Sequence, residues 1–294
     1  MSGAARNPGP NWGFQFLRRC DEILPEFIFR PLRKLGTAVA IVCMPSQRGY
    51  SREYLTVLHG RAPRWSEVFR QFWAFEEFLM LRFRVARGVP HRGELAPDAD
   101  GFHQLLATGE PALLGTFHFG HSDLTGFLLG RQEHRRVYMI RQRVGNSHDT
   151  EILGAEFAEW VSFIWVNEAE NLLFALKDAI DAGGSVALKC DRLEFSAKTE
   201  AFNFLGARRL FPFTIYHLAL IFRRPVVLCV GRPAGPGLST VHSSPLFVPD
   251  AAGKAANLAR ARVHFQEFLT RLEAMLRAEP ELWFNFLPLN PVAP

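Results

Sequence analysis

Five continuous apolar runs follow one another from residue 112 onward. They are ALLGTF (112–117), RVYMI (136–140), VSFIWV (161–166), SVALKC (185–190) and PVVLCVG (225–231). Continuous rather than alternating runs are typical of parallel strands that are covered on both faces of a sheet. Between the third and fourth runs lies NEAENLLFALKDAIDAGG, where Asn167 can cap a helix and Gly183 can end it. A strand, a helix and a strand in this order predict an α/β fold with a mostly parallel central sheet flanked by helices.

Residues 1–90 have a different pattern and predict an N-terminal helical segment. Apolar residues recur at helical spacing in three stretches, which are residues 11–35, SREYLTVLHG and WSEVFRQFWAFEEFLMLRFRVARG. We predict three helices there, followed by an α/β domain over residues 91–294, the two forming one integrated unit. Residues 256–280 predict a long amphipathic helix, and the Pro/Gly-rich residues 231–239 predict a surface loop.

The first N-terminal helix combines bulky apolar and basic residues. Its apolar residues, Phe14, Phe16, Leu17, Phe27, Ile28 and Phe29, are interleaved with Arg18, Arg19, Arg30 and Arg33. Such a helix can lie on a membrane surface; the alternative is an amphipathic helix packed on its own domain. The longest apolar run nearby, TAVAIVCMP (37–45), is too short to span a bilayer, which favours peripheral attachment.

Charge and cysteine content limit the classes of partner. The 294 residues carry a formal net charge of +5, from 34 Lys and Arg against 29 Asp and Glu. No basic run is long enough to indicate a nucleic-acid tail, so we expect no nucleic-acid partner, and acidic partners are favoured without being specified. The four cysteines, Cys20, Cys43, Cys190 and Cys229, form no C-x-x-C pair and indicate free thiols in the cytoplasm.

Two histidines and an aspartate cluster in GTFHFGHSDLTGFLL (115–129). His118 follows the first apolar run directly, and a helix is predicted from about Ser122, so the cluster occupies a strand-to-helix turn. Asp191 and Arg192 stand in the same relation to the run SVALKC. Because open α/β sheets bind ligands outside the carboxyl ends of their strands, both turns are candidates for one site.

The spacing H-x4-D of His118 and Asp123 suits acid–base chemistry. The carboxylate can accept a hydrogen bond from one imidazole nitrogen and leave the other as a base, with the substrate itself as the nucleophile. Backbone N–H groups at the helix start can then stabilise an oxyanion. Two alternatives stay open at this point: a turn histidine bonded only to backbone, and a metal site in which His121 joins the pair as H-x-x-H-x-D. The chain has no complementary ligand cluster downstream, and no G-x-S-x-G, Walker A or dinucleotide-binding glycine motif.

Four segments together resemble a known family. They are GTFHFGHSD, LKCDR, FNFLGARRLFPFTIYHLALIFRRPVVLCVG and WFNFLPL, and they resemble the lysophospholipid acyltransferase superfamily, in particular the lipid A late acyltransferases and related predicted acyltransferases often found in aryl-polyene gene clusters. NWGFQFLRR and SREYLTVLHGRAPRWSEVFRQFWAF also resemble that branch. The resemblance therefore covers nearly the whole chain.

The resemblance implies a glycerol-3-phosphate acyltransferase-like fold and acyl transfer at the inner face of the cytoplasmic membrane. The donor is a thioester of acyl carrier protein or coenzyme A, the acceptor is a hydroxyl or amine of a lipid or lipid-like molecule, and no metal or other cofactor is required. His118 is then the general base and Asp123 its partner. Asp191 and Arg192 fall in the family's second block, whose arginine holds a phosphate or orders the site.

The same resemblance places Gly206, Arg208 and Arg209 in the third block, where a glycine-containing turn approaches the substrate and basic residues meet acidic groups. The chain departs from the branch at His121, which we expect to compete for Asp123 or to contact the acceptor. Arg141 and Arg143 follow a strand and are candidates to bind the acidic carrier protein or lipid phosphates. A non-catalytic lipid or acyl-carrier binding protein on the same fold is the alternative function.

Overall fold

The computed structural model describes residues 11–142, 148–166, 171–193, 196 and 198–293. Four helices come first, α1 (Asn11–Ile23), α2 (Glu26–Cys43), α3 (Pro45–His59) and α4 (Trp65–Ala86). The later elements are β1 (Arg92–Leu95), α5 (Asp100–Thr108), β2 (Leu113–Gly120), α6 (Ser122–Gln132), β3 (Val137–Arg141), α7 (His148–Glu156), β4 (Val161–Trp165), α8 (Leu172–Asp181), β5 (Ser185–Lys189), β6 (Thr199–Phe204), β7 (Ala207–Pro212), α9 (Thr214–Phe222), β8 (Val226–Pro233), β9 (Leu238–Ser243), α10 (Lys254–Ala278) and a short 3-10 helix (Pro280–Leu282).

A seven-stranded sheet in the order β1-β9-β8-β2-β5-β3-β4 forms the centre of the molecule. The five predicted strands are its consecutive members β8, β2, β5, β3 and β4, and they pair in parallel. The α/β class with a mostly parallel central sheet flanked by helices is thus confirmed. The predicted helix cap at Asn167 lies outside the described residues.

Four strands were not predicted from the sequence. β1 and β9 extend one edge of the sheet, and β9 runs antiparallel to β8. Because β8 and β9 include both ends of the loop predicted over residues 231–239, the turn between them consists of residues 234–237. β6 and β7 form a separate antiparallel hairpin. Its two-residue turn, Leu205 and Gly206, has positive φ at both positions, which is the geometry of the tight turns that suit twisted hairpins.

The connections between strands create a crevice at the carboxyl ends of β2 and β5. Right-handed crossovers place α6 and α7 on one face of the sheet and α8 and α9 on the other. β2 leads into α6, whereas its neighbour β5 leads through the β6–β7 hairpin to α9. The crevice between these two strand ends is therefore a topological switch point, the place where open α/β sheets bind ligands.

The N-terminal segment contains four helices rather than the three predicted. The stretch over residues 11–35 is divided at Pro25, which precedes the first residue of α2. Proline lacks the N–H that would continue α1 but suits the position before a new helix. Residues of α2, α3 and α4, including Ile41, Tyr54 and Phe72, belong to the same hydrophobic core as the sheet.

Candidate active site

His118 lies near the carboxyl end of β2, where the strand is irregular. Thr116 pairs with Cys229 and Gly120 with Gly231, so four steps along β2 are matched by two steps along β8. Such a bulge bends a strand and redirects a side chain, and bulges are common beside active sites. Gly120 then has φ of 46°, and α6 begins two residues later.

Asp191 holds His118 at two points. Its carboxylate accepts a hydrogen bond from the imidazole Nδ1 at 2.8 Å and another from the His118 backbone N–H at 2.8 Å. The Asp191 side chain is wholly buried, whereas 18% of the His118 side chain is exposed. The enclosed carboxylate of Asp191 bonds to His118, and its role in binding substrate stays a prediction.

The bond to Asp191 fixes which nitrogen of His118 carries the proton. Burial alone would raise the pKa of the Asp191 carboxyl, but His118 and the neighbouring cations Arg192 and Lys189 outweigh burial and lower the pKa. An ionised carboxylate only accepts hydrogen bonds, so Nδ1 is the protonated nitrogen and Nε2 carries the lone pair. No described residue hydrogen-bonds to Nε2.

His118 is neutral at physiological pH. Its pKa is lowered to about 4, chiefly by burial and then by the charge of Arg192, against the opposing effect of Asp191. A neutral imidazole with an unprotonated Nε2 is the state required of a general base.

Asp123 is not the hydrogen-bond partner of His118, and this prediction is wrong. Asp123 lies in the first turn of α6, where its carboxylate is 2.5 Å from Lys189 Nζ and 3.9 Å from an Arg141 nitrogen. Burial would raise the pKa of Asp123, but the charges of Lys189 and Arg141 hold the pKa well below its usual value. His118 and Asp123 have the H-x4-D spacing, but the carboxylate of Asp123 forms an ion pair with Lys189 instead of a hydrogen bond with His118.

Lys189 was missed in the sequence, although it lies within the LKCDR segment. In addition to Asp123, its ammonium donates to the carbonyl of Phe117 at 3.1 Å. β2 and β5 are in register at Thr116 and Lys189, which brings the lysine alongside the end of β2. Strand alternation could have indicated it, because Lys189 and Asp191 are two residues apart.

The segment after the 3-10 helix completes the site. Phe284 N–H donates to the His118 carbonyl at 2.7 Å, and the Asn290 side chain donates to the Asp191 carbonyl at 3.0 Å. Arg192 Nε donates to Asn285 Oδ1 at 2.8 Å. Arg192 and Arg141 line the cavity that contains His118, and their role in binding substrate stays a prediction. Arg143 lies outside the described residues.

His121 belongs to a buried polar cluster rather than to the cavity. Its Nδ1 is 2.8 Å from Ser239 Oγ, which is also 2.7 Å from His91 Nε2. Its ring stacks on Phe78 with centroids 5.3 Å apart. The predicted competition of His121 for Asp123 does not occur, since both histidines of GTFHFGHSD have other partners.

Gly206, Arg208 and Arg209 lie apart from His118. Gly206 is in the hairpin turn, and Arg208 is an exposed residue beside α10. Arg209 is buried and donates to the Asn290 carbonyl at 2.8 Å, so it anchors the last described segment of the chain. None of these three described residues lines the cavity that contains His118, and their role in binding substrate stays a prediction.

A cavity of about 1960 Å³ opens at His118. It continues between the sheet and α6, where Leu114, Met139 and Gly126 line it, and reaches Val137 and Ser185 at the opposite ends of their strands. At about 3.3 Å per residue, the path from His118 to this end is on the order of 15–20 Å. Other lining residues come from α1, α2 and α4, among them Phe16, Leu32 and Phe75.

Within the described ranges, no protein nucleophile accompanies the base. Among the described residues, no serine, threonine or cysteine hydrogen-bonds to His118. Burial raises the pKa of Cys190, which lines the same cavity, and this disfavours its thiolate. His118, His121 and Asp123 do not converge on a common point, and the described part of the chain contains no group of three potential metal ligands.

Helix α2 exposes an apolar stripe and buries a charge. The stripe consists of Ile28, Leu32, Leu35, Val39 and Val42, all at least 42% exposed. On the opposite face Arg33 is buried against Glu26 at 2.6 Å and Glu76 at 2.8 Å. Arg33 is therefore unavailable to a membrane surface, contrary to its prediction. No helix in the described ranges is long and apolar enough to cross a bilayer.

Comparison with protein-family models and with curated proteins found no match. Among solved structures, the chain is similar to the crystal structure of the 1-acyl-sn-glycerophosphate (LPA) acyltransferase PlsC from Thermotoga maritima. The TM-score is 0.41 and the sequence identity is 13%, over 85% of this chain and 100% of that chain.

Proposed function

We propose that the protein is an acyltransferase that moves a fatty acyl group from a thioester to a hydroxyl or amine of a lipid or lipid-like acceptor. The observation that carries the proposal is His118, whose Nδ1 is held by Asp191 and whose unprotonated Nε2 adjoins an extensive, largely apolar cavity. The family resemblance of the sequence supports the same chemistry. The donor is acyl carrier protein or coenzyme A charged with the acyl group.

The acyl group passes directly from the thioester sulfur to the acceptor oxygen. His118 Nε2 removes the proton of the acceptor hydroxyl as the oxygen forms a bond to the carbonyl carbon. The carbon–sulfur bond then breaks, and the departing thiolate takes the proton from Nε2. Asp191 stabilises the transient imidazolium without taking its proton. N–H groups in the first turn of α6 suit the oxyanion.

No acyl-enzyme forms in this scheme. Its basis is the absence of a hydroxyl or thiol partner for His118 among the described residues, together with the raised pKa of the Cys190 thiol. The acceptor hydroxyl is thus the nucleophile, and the reaction requires no cofactor.

The acyl chain occupies the part of the cavity between the sheet and α6. Leu114, Met139 and Leu129 provide apolar walls there, and burial of each methylene contributes about 0.8 kcal/mol. Arg141 and Arg192 lie nearer to His118 and suit acidic groups on the acceptor or on the phosphopantetheine of the donor.

The protein works at the inner face of the cytoplasmic membrane as a peripheral protein. The support is the exposed stripe of α2, because an apolar helix face of this kind is suited to the boundary between headgroups and acyl chains. Residues from α1 and α2 also line the cavity, so a membrane-bound α2 would bring the cavity to its lipid acceptor.

The test incubates purified protein with radiolabelled acyl carrier protein or acyl coenzyme A and with lipid extract, followed by thin-layer and mass analysis. A labelled product is expected with wild type and with His103→Ala, which alters an exposed histidine of α5, and not with His118→Ala. Transfer by His118→Ala at the wild-type rate would overturn the base assignment. If no label moves but the charged donor still binds, the alternative of a non-catalytic carrier-binding protein replaces the enzyme.

A further inference from the structure

The cavity that contains His118 lies against both faces of the central sheet. Four consecutive residues at the carboxyl end of β5 line it, namely Ala187, Leu188 and Lys189 of the strand and Cys190, which follows the strand. Met139 and Ile140, which are consecutive in β3, line it as well. Successive side chains of a strand point to opposite faces of a sheet. The cavity therefore passes around the carboxyl ends of these strands.

Two glycines show which helices cover each part of the cavity. A Cβ on Gly126 of α6 would lie 2.6 Å from Met139 Cε, so Met139 faces α6. A Cβ on Gly115 of β2 would lie 3.0 Å from Cys190 Sγ and 3.1 Å from Ile215 Cδ1, so Cys190 faces α9 on the other side of the sheet. We call the part beneath α6 the first lobe, and the part on the face covered by α8 and α9 the second lobe.

The second lobe is apolar and lies between α8 and α9. α8 packs on β4 and β5, and α9 packs on β2 and β8. Leu188 is paired with Gly115 and points to the same face, so it forms the floor between the two helices. The apolar lining consists of Leu172, Leu173 and Leu176 of α8, Leu188 of β5, and Ile215 and Leu218 of α9.

The second lobe is short and open to the surface. α9 lines it from Thr214 to Leu218, which is about 6 Å along the helix at about 1.5 Å per residue. Leu173 lines it on the side of α8, and 52% of this residue is exposed. A hydrocarbon chain can therefore place several methylenes in the second lobe and leave it beside Leu173.

Polar groups line the cavity where the two lobes meet. The cavity passes around the end of β5, and Lys189 and Arg192 line it there together with His118. A chain in either lobe thus has its polar end near these groups. The whole cavity of about 1960 Å³ exceeds the roughly 300–1,000 Å³ of a pocket for one small ligand, so it has room for two ligands at once.

We propose that the second lobe binds the hydrocarbon chain of the acceptor while the first lobe holds the acyl chain of the donor. The assignment of this chain to the acceptor rests on the proposed function, whereas the binding of a hydrocarbon chain by the second lobe does not. The acceptor is accordingly an amphiphile with an apolar chain of its own and a polar group near Arg192. Since the two chains lie on opposite faces of the sheet, the thioester carbonyl and the acceptor hydroxyl approach His118 from different sides.

Photo-crosslinking tests the second lobe without turnover. The probe is decyl phosphate with a photoreactive diazirine in its chain. It is added together with a thioether analogue of acyl coenzyme A, which fills the first lobe and cannot transfer its acyl group. Mass analysis of peptides is expected to place the cross-links in residues 172–176 and 214–218. Cross-links only in α6 or in the four N-terminal helices, or no cross-links, would overturn the inference.

Two adjacent residues of α8 supply matched variants for this experiment. Leu173 lines the second lobe and Phe174 does not, although 52% and 63% of these residues are exposed. Leu173→Glu is expected to lower cross-linking to α8 and α9 about tenfold, because a carboxylate there would lose water to a hydrocarbon chain. Phe174→Glu is expected to label as wild type does. Equal labelling of all three proteins would contradict the inference.

Kinetics then test which substrate uses which lobe. With the acceptor found in the transfer assay, Leu188→Phe is expected to raise the KM for the acceptor about tenfold, because the larger ring fills the floor of the second lobe. Its preference among donor chain lengths is expected to remain that of wild type. A changed donor preference with an unchanged KM for the acceptor would overturn the assignment of the lobes.

The outcomes distinguish this inference from the proposed function. Cross-links in α8 and α9 without any labelled product in the transfer assay would leave the chain-binding lobe intact and remove the acyltransferase. A labelled product without cross-links in these two helices would keep the acyltransferase and remove the second lobe as a binding site.

Discussion

The carboxylate of Asp191 binds His118 twice, at the ring Nδ1 and at the backbone N–H, each at 2.8 Å. One buried side chain thereby fixes the position of the strand end, the orientation of the ring and its tautomer. The acid–base partner of His118 comes from the neighbouring strand and not from the helix that follows the histidine.

Asp191→Asn should reduce acyl transfer far more than Asp123→Asn. An asparagine amide at position 191 can donate to Nδ1 and stabilise the tautomer that has its proton on Nε2, which removes the base. General-base catalysis contributes about 10²–10⁴-fold, and a loss of this size is expected for Asp191→Asn. The measurement is kcat/KM with a radiolabelled acyl thioester, with circular dichroism to confirm folding. A greater loss in Asp123→Asn would return the orienting role to Asp123.

Structural features that depend on one strand or one turn of the sequence were predicted correctly. The apolar runs gave the five parallel strands, and the turn after the first run gave the location of His118 at their carboxyl ends. The partner of His118 could not be deduced in this way, because two carboxylates, Asp123 and Asp191, follow neighbouring strands. Which of the two carboxylates bonds to His118 depends on Lys189, because its ammonium forms an ion pair with Asp123.

Gly206, Arg208 and Arg209 show a related limit of prediction from the sequence. A basic residue near a glycine turn suits a substrate or a structural anchor equally well, and Arg209 proves to be an anchor for the Asn290 carbonyl. Which role applies depends on where a distant segment of the chain packs, and no local pattern reports this.

Acid should destabilise the protein partly through His121. Its pKa is lowered to about 4 by burial and then by His91, whereas the ordinary value is 6.5. The unfolded chain therefore takes up a proton as the pH falls below about 6.5 and the folded chain does not, so stability is lost between pH 6.5 and 4 and is fully present above this range.

The contribution of His121 to this loss is about 3 kcal/mol by the linkage relation. It can be isolated by comparison with His121→Asn, whose side chain retains a hydrogen-bonding atom near the position of Nδ1. The free energy of unfolding, measured with urea at pH 7 and at pH 4.5, should fall less in the variant than in wild type. The pKa of Glu76 is raised to about 7 by burial, so its contribution to the change in stability with pH has the opposite sign. This contribution is the same in both proteins and cancels in the comparison. Equal falls in both proteins would contradict the assignment.

Gly126→Ala should shift acyl-chain preference toward shorter chains. A Cβ at this position would lie 2.6 Å from Met139 Cε, so the methionine must move within the cavity that we assign to the acyl chain. Discrimination of about tenfold against the longest chains is expected, since one methylene in an apolar pocket is worth about 1–3 kcal/mol. The measurement is the rate across a series of thioesters that differ by two carbons.

Gly49→Ala, in α3 and outside the residues that line the cavity, is the matched control for that experiment. It also replaces a helical glycine, but a Cβ there meets nothing within 4 Å. Its chain preference should equal that of wild type. If Gly126→Ala also retains the wild-type preference, the acyl chain lies elsewhere in the cavity.

Leu35→Gln/Val39→Gln should weaken binding to vesicles of anionic phospholipid. Both residues belong to the exposed stripe of α2, with 64% and 53% of their surface accessible. Loss of two apolar side chains from a membrane contact should lower the partition coefficient about tenfold or more. Co-sedimentation with vesicles measures it, and Ile221→Gln/Val263→Gln, which alters exposed apolar residues on α9 and α10, should bind as wild type does. Equal binding by all three proteins would assign the stripe to another contact.

The segment around Phe284 and Asn290 carries a consequence for folding. Its bonds to the carbonyls of His118 and Asp191 join parts of the chain that are far apart in sequence. Contacts of such long sequence separation incur the greatest loop-closure entropy and tend to form late. During synthesis, the strands of the sheet can pair before this segment is available. His118 and Asp191 then still lack the hydrogen bonds to their carbonyls. The supporting bonds to His118 and Asp191 would thus form only when this segment packs, and the same step would add Phe284 and Phe286 to the wall of the apolar cavity.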